Sequence, residues 1–199
     1  KAVVTTPANF SNEARVATKE AAEKAGLAID FIINEPTAAA LCYAYQNEEE
    51  LAGNYAIYDL GGGTFDVSVI NVSGQDIEVL ASNGLHKLGG TDFDQALVEI
   101  VKNKYKEETG EELSAEDYTL TQAEEDKKSL SRRTKIIAGG GDEISHDFVI
   151  NLRRSEFEEA ISPFIAQTEM LCEATVEEAG LEIQDLQNVI LVGGSTRIP

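Results

Sequence analysis

The chain has 199 residues, 42% of them hydrophobic and 7% aromatic, enough for one domain or two small ones with a real core. Its 36 acids against 16 bases give a formal net charge of −20, which argues against nucleic acid and anionic membrane as partners, since both need basic patches. A nucleotide is not excluded, because backbone amides and a metal ion can hold phosphates.

Ala2 to Thr5 reads as a strand, broken by Pro7. Ser11 caps a helix through about Ala25, with Ala14, Ala17, Ala21 and Ala25 as a small-residue stripe suited to close packing on a sheet, and Gly26 as its stop. Ile29 to Ile33 reads as a buried strand, and Asn34-Glu35-Pro36-Thr37 opens a second helix through about Tyr45. The polar, acidic run from Gln46 to Gly53 reads as a connector between lobes. Tyr55 to Ala81 is expected to form a three-stranded antiparallel meander. A helix then runs from Gly89-Gly90-Thr91-Asp92-Phe93-Asp94 to about Lys106, burying Phe93, Leu97, Ile100, Val101 and Tyr105. After the irregular acidic stretch from Glu107 to Asp117 comes a charged helix from about Thr121 to Arg132. Lys135 to Ala138 and Asp147 to Ile150 read as a hairpin around Gly139-Gly140-Gly141-Asp142. Ser155 and Glu158 make a capping-box pattern, Pro163 is expected to break or kink the helix, and periodicity resumes to Ala179. Val189 to Val192 is a short apolar strand that delivers the chain onto Gly193-Gly194. Strands and helices alternate after the meander, so the fold class is α/β.

Chemistry concentrates at Asp59-Leu60-Gly61-Gly62-Gly63-Thr64-Phe65-Asp66. Three glycines at a strand-to-strand turn leave amides bare to an anion. Asp59 and Asp66 flank them, placed to hold a hydrated Mg²⁺ whose other ligands are phosphates. Gly193-Gly194-Ser195-Thr196 is a second glycine corner that is expected to open a helix and offer its amides to the same ligand. No Walker A pattern, His-Glu-x-x-His, Cys-x-x-Cys or Gly-x-Ser-x-Gly is present. His86 and His146 read as surface or satisfied histidines, and Cys42 and Cys172 as small apolar residues in a reducing, cytoplasmic setting. No apolar run approaches membrane-spanning length, and no signal-peptide pattern is found.

Four stretches together resemble one family. Ile33-Asn34-Glu35-Pro36-Thr37-Ala38-Ala39-Ala40, Asp59 to Asp66, Gly89-Gly90-x-Asp92-Phe93-Asp94 and Val192-Gly193-Gly194-Ser195-Thr196-Arg197-Ile198-Pro199 are similar, in order and spacing, to motifs of the seventy-kilodalton heat-shock chaperones. The resemblance covers essentially the whole chain and lies in their nucleotide-binding domain, within the actin and sugar-kinase ATPase superfamily. It implies an actin-like, ribonuclease-H-like fold, with residues 1–50 ending a first lobe. Residues 51–90 and 153–199 would then form the core of a second lobe, and 91–152 its outer subdomain. It implies ATP or ADP with Mg²⁺, the metal held by Asp59, Glu35 and Asp66. Gly61, Gly62, Gly63 and Thr64 would meet the β- and γ-phosphates, with Thr64 near the attacking water. Thr64, Asp66 and Asp59 are thereby the catalytic candidates. Glu124, Lys127, Lys128 and Ser131 would clamp the adenosine from one side and Gly193, Gly194, Ser195 and Arg197 from the other. Pro7 and Arg15 match positions that relay nucleotide state.

Departures are also visible. Lys128 stands where the family usually has Arg and stacks less well on a base. Asn9 replaces an aromatic, and the stretch from Arg132 to Phe148 is short. The chain starts inside a strand-like run and stops at Pro199, so it reads as an excised piece. The family's first phosphate loop and catalytic lysine would lie upstream of Lys1, and the peptide-binding domain downstream. The piece alone is then expected to hydrolyse ATP poorly or not at all. Expected partners are a nucleotide-exchange factor or co-chaperone and, through the absent domain, unfolded polypeptide. A non-catalytic docking module for an exchange factor is the rival reading. A filament-forming actin relative is disfavoured by Phe65-Asp66 and Gly-Gly-x-Asp-Phe-Asp.

Overall fold

A computed structural model describes residues 1–48, 50–138 and 149–199. In chain order the elements are β1 (Ala2–Thr6), α1 (Asn12–Lys24), β2 (Ile29–Asn34), α2 (Glu35–Asn47), β3 (Gly53–Leu60), β4 (Phe65–Ser73), β5 (Asp76–Leu85), α3 (Gly90–Thr109), α4 (Leu120–Leu130), β6 (Lys135–Ile137), β7 (Asn151–Arg153), α5 (Arg154–Glu178) and β8 (Leu186–Val192). The class is mixed α/β, consistent with the actin-like ATPase fold. Two compact units result. One comprises Lys1–Asp59, Asp66–Leu85 and Met170–Val192; the other comprises Leu60–Phe65, His86–Glu169 and Gly193–Pro199.

The first unit holds the sheets that matter for the glycine corners. β3, β4 and β5 are consecutive neighbours, as the meander predicts, and β8 joins β3 on the other side to give the order β5-β4-β3-β8. β8 runs parallel to β3, with Ile57 opposite Ile190 and Asp59 opposite Val192 at the end of the register. Both glycine corners therefore follow strand ends that are neighbours. The alternation of β3 and β4 puts Tyr55, Ile57, Ile70 and Val72 in one cluster with Ile190 of β8 and Ala40 of α2. Burying each large aliphatic side chain there contributes about 1.5–3 kcal/mol. Pro36 in the first turn of α2 costs no hydrogen bond, since the amides there have no partner inside the helix.

β1 and β2 form a separate parallel pair, Val3 opposite Phe31. Helix α1 lies on them, capped by Ser11, whose Oγ accepts from the Ala14 amide at 3.3 Å. The alanine stripe does not do what its spacing predicts. No residue of α1 is buried, and Ala17, Ala21 and Ala25 are exposed. The half-buried face runs through Ala14, Arg15, Thr18 and Ala22 instead. A two-stranded sheet is too narrow to cover the wider stripe.

The second unit is built on α3 and α4, which pack together. Phe93, Leu97, Val98 and Val101 form the buried face of α3, and Ile100 and Tyr105 are only half-buried. Phe93 also meets Phe164 of α5, ring centroids 5.9 Å apart and tilted by 56°. α4 starts at a capping box in which Thr119 and Gln122 exchange backbone and side-chain hydrogen bonds. Its buried Asp126 accepts a 2.7 Å hydrogen bond from the Tyr118 hydroxyl.

Two local expectations are corrected here and a third is extended. β6 pairs antiparallel with Asn151–Arg153, and the Ala138 amide donates to the Ile150 carbonyl at 2.8 Å, so the described ladder of the hairpin runs beyond the expected end at Ile150. The Gly139-to-Asp142 turn, Asp147 and His146 lie outside the described residues. Helix α5 begins at Arg154, so the first-turn acid that reaches back is Glu156, accepting from the Arg153 amide at 2.9 Å, rather than Glu158. α5 also runs unbroken through Pro163. Proline lacks the N–H that would bond the carbonyl of Glu159, four residues back. The Ser162 hydroxyl donates to that carbonyl at 2.9 Å and takes its place.

Candidate functional site

Gly61, Gly62 and Gly63 leave β3 as a turn closed by the Gly61 amide on the Thr64 carbonyl at 3.0 Å. The carbonyls of this turn are tied back to the start of α3. Gly90 N–H donates to Gly61 O at 3.0 Å, and Thr91 donates to Gly62 O from its amide at 2.7 Å and its hydroxyl at 2.8 Å. The Asp92 carboxylate accepts from the Gly89 amide at 2.8 Å and fixes the first turn of α3. Gly89 is there because the backbones almost touch. A Cβ at Gly89 would lie 2.6 Å from the Gly63 nitrogen and 2.7 Å from the Gly62 carbonyl carbon. A Cβ on Gly62 or Gly63 would meet nothing within 4 Å. The turn is thus packed on its carbonyl side and open on the other, and among the described residues no bond uses the amides of Gly62 or Gly63.

α4 and the second glycine corner converge on the same place. Ser195 Oγ donates to Gly61 O at 2.9 Å across 134 residues of chain. Lys127 donates from Nζ to Gly90 O at 2.8 Å and pairs with Asp94 at 2.7 Å; both side chains are about nine-tenths buried. Burial pushes the Asp94 carboxyl up from its ordinary value, and the Lys127 ammonium works against that rise. Gly193 has φ +90, and Gly194–Arg197 forms a single 3-10 turn. The α-helix expected to open here is absent from the described residues.

Between these pieces lies a cavity of about 570 Å³. Gly62, Glu124, Lys127, Lys128, Ser131, Gly194, Ser195 and Arg197, all singled out in the sequence, line it. Its volume falls in the range of small-molecule sites, about 300–1,000 Å³. Gly61, Gly63, Thr64 and Gly193 shape the corners but are not on its wall. Lys128 is exposed and ion-paired with Glu125 at 2.8 Å and Glu124 at 3.1 Å. Hydrogen bonds to Glu125 and Glu124 hold the Lys128 ammonium above its usual value, and the bond to Lys128 lowers Glu124. Sequence reasoning missed Gly90, Thr91, Asp94 and Arg132 on this wall. The Gly89-to-Asp94 motif was the available signal, but its role lies in contacts to residues some 29 positions away.

The other predicted residues sit in the first unit. Glu35, Asp59 and Asp66 line one narrow cleft together with Pro7 and Ser68. Burial, then the charges of Asp59 and Asp66, push Glu35 up from its ordinary value. Burial, then Asp66, does the same to Asp59. Carboxylates that raise one another in this way form a site short of positive charge, which fits a cation. Among the described residues no group of three or more His, Cys, Asp or Glu is arranged to hold a metal ion. Arg15 fastens the loop beside this cleft, donating to Thr6 Oγ1 at 2.9 Å and to the carbonyls of Pro7, Ala8 and Phe10 at 3.0–3.3 Å. Cys42 and Cys172 are not joined in a disulfide, and no described helix is long and apolar enough to cross a membrane.

Set against models of protein families, the chain matches the one described as Hsp70 protein, over residues 1–199.

Proposed function

The chain belongs to the Hsp70 family and so has the general role of a nucleotide-binding chaperone ATPase domain, and we propose that the cavity of the second unit is its nucleotide site. The convergence of Gly62, Ser195 and the Glu124–Ser131 face of α4 on one wall supports this reading most directly. In it, the amides of Gly62 and Gly63 and the Thr64 hydroxyl take the β- and γ-phosphates, with Gly61 anchoring their turn. Glu124, Lys127, Lys128 and Ser131 face the adenosine from α4, and Gly193, Gly194, Ser195 and Arg197 from the second corner. Glu35, Asp59 and Asp66, which share a cleft of the first unit, would hold Mg²⁺ through its water shell, an ion that would supply charge neutralisation. Thr64 orients the water that attacks the γ-phosphate. The split of lobes at residues 1–50, 51–90 with 153–199, and 91–152, a cytoplasmic setting, and partnership with an exchange factor and unfolded polypeptide belong to the same proposal.

The open side of the glycine turn gives the test. A methyl group at Gly62 meets no protein atom within 4 Å, so Gly62→Ala should leave thermal stability within about 0.5 kcal/mol of the parent. It should still fill the space a phosphate needs and weaken ADP binding at least tenfold by calorimetric titration. Undiminished ADP affinity in this variant, with its stability intact, overturns the assignment of the phosphate site.

A further inference from the structure

Bases are scarce in this chain, 16 against 36 acids, yet two of them face each other on the small hairpin of the second unit. Lys135 of β6 stands directly opposite Arg153 of β7 in the antiparallel register. Both are exposed, and among the described residues neither side chain forms an ion pair. Glu156, three residues on from Arg153, is engaged by Lys104 at 2.7 Å and by the Arg153 amide at 2.9 Å. Like charges directly opposite each other on a sheet destabilise the pairing. Charges on a short exposed sheet also guard its edges, but a lysine facing a glutamate would guard them equally well and attract. Arg133, exposed nearby, has an ordinary reason to be cationic, since it follows the C-terminal end of α4. Lys135 and Arg153 have no such reason.

The rest of the face narrows what the two cations await. Leu152 is buried and Ile136 half-buried, so alternation leaves Lys135, Ile137, Asn151 and Arg153 on the outer side. Ile137, opposite Asn151, is 41% exposed, and Val149, two residues before Asn151, is 59% exposed. One face thus carries a cationic pair at one end and two bare aliphatic side chains at the other. The ends are two residues apart, about 7 Å along a strand. An extended segment repeats its own face at that spacing, so an acid two residues from an aliphatic side chain matches both ends. A nucleic acid would match the cations alone, and a chain at −20 repels its phosphates.

We propose that the outer face of β6 and β7 is a docking site for an extended acidic protein segment. A carboxylate of the segment sits between Lys135 and Arg153, and an aliphatic side chain two residues away covers Ile137 and Val149. None of these four residues lines the cavity, so the proposal does not depend on the nucleotide reading.

The test titrates the whole chain into three fluorescent probes and reads anisotropy. The probes are a peptide alternating glutamate, threonine, isoleucine and threonine, the same peptide with serine for glutamate, and a thymidine oligonucleotide. The first should bind and the other two should not. Lys135→Glu should weaken that binding about 3- to 10-fold, because it removes one exposed ion pair and adds a repulsion. Without peptide it should melt roughly 1–4 °C above the parent, since its glutamate would face Arg153. Lys19→Glu makes the same charge change on α1 and should bind as the parent does. No binding of the glutamate peptide by the parent overturns the proposal. Equal binding of the serine peptide makes the contact merely apolar, and equal loss in Lys19→Glu makes it bulk charge; either result overturns it too. Binding of the oligonucleotide that Lys135→Glu abolishes would make the face a phosphate site instead. A lower melting temperature in Lys135→Glu would show that the chain itself satisfies Lys135, and would also overturn the proposal.

Discussion

Gly89 shows how a single residue can hold the candidate site in shape without touching a ligand. Its φ of −177 is extended backbone open to any residue, so conformational freedom is not why glycine stands there. Contact is the reason. An added methyl would press on the Gly62–Gly63 backbone at 2.6–2.8 Å, and backbone held at Gly61 and Gly62 by four donors cannot give way cheaply. Gly89→Ala should therefore destabilise the chain by about 1–3 kcal/mol, read by denaturant titration, and displace the turn. It should weaken ADP binding as a consequence. Gly62→Ala is the counterpart, with binding lost and stability kept. If Gly89→Ala proves as stable as the parent, the two backbones are not packed as described. The sequence reading singled out both glycine pairs, yet it could not assign these opposite duties. Which side of the turn is filled depends on Thr91, 29 residues from Gly62, and on Ser195, 134 residues from Gly61.

Helix α5 argues at the next scale up. Pro163 removes one backbone bond, and Ser162 repairs only the acceptor, so the helix continues at a cost. Pro163→Ala should raise stability by about 1–3 kcal/mol on thermal unfolding; a drop would mean that the ring is needed for packing. At the start of α5, burial works to raise Glu156, but the Lys104 ion pair at 2.7 Å and the Arg153 amide prevail and hold its carboxyl below the ordinary value of 4.5. A lowered carboxyl stabilises the fold above the unfolded value and loses that contribution as pH falls through the folded value. Acidification below about pH 4.5 should thus cost the parent more stability than Glu156→Gln, measured as melting temperature against pH. Equal acid sensitivity would dissociate Glu156 from the cap. Most elements were legible because their signals are local, such as alternation in β3 and β4, the Ser11 cap, and glycine after β8. The proline break and the alanine stripe were misread because each depended on a neighbour outside the window. That neighbour was a hydroxyl aimed at one carbonyl and the width of the sheet under α1.

Across the whole molecule, charge sets the terms. A chain at −20 repels itself, and Glu35, Asp59 and Asp66 share one cleft in which the acids raise one another. Glu35 and Asp59 are raised above 4.5 and 3.8, first by burial and then by their acidic neighbours. A raised carboxyl binds protons more tightly in the folded state, so its strain is fully present above the folded value and is relieved as pH falls through it. Added NaCl should raise the melting temperature by general screening. MgCl₂ at matched ionic strength should raise it further, by about 1.4 kcal/mol or roughly 3–6 °C at ten times its dissociation constant. Protons compete for the same oxygens, so the Mg²⁺ excess should grow as pH rises through and above the ordinary carboxylate range. Asp59→Asn separates the cleft from the rest of the surface. Without Mg²⁺ it should melt higher than the parent, because one of three mutually repelling charges is gone, and most of the Mg²⁺ excess should vanish while the NaCl response remains. A variant that melts lower without Mg²⁺, or keeps the full excess, would place the cation elsewhere on this acidic surface and leave the three carboxylates without the role proposed for them.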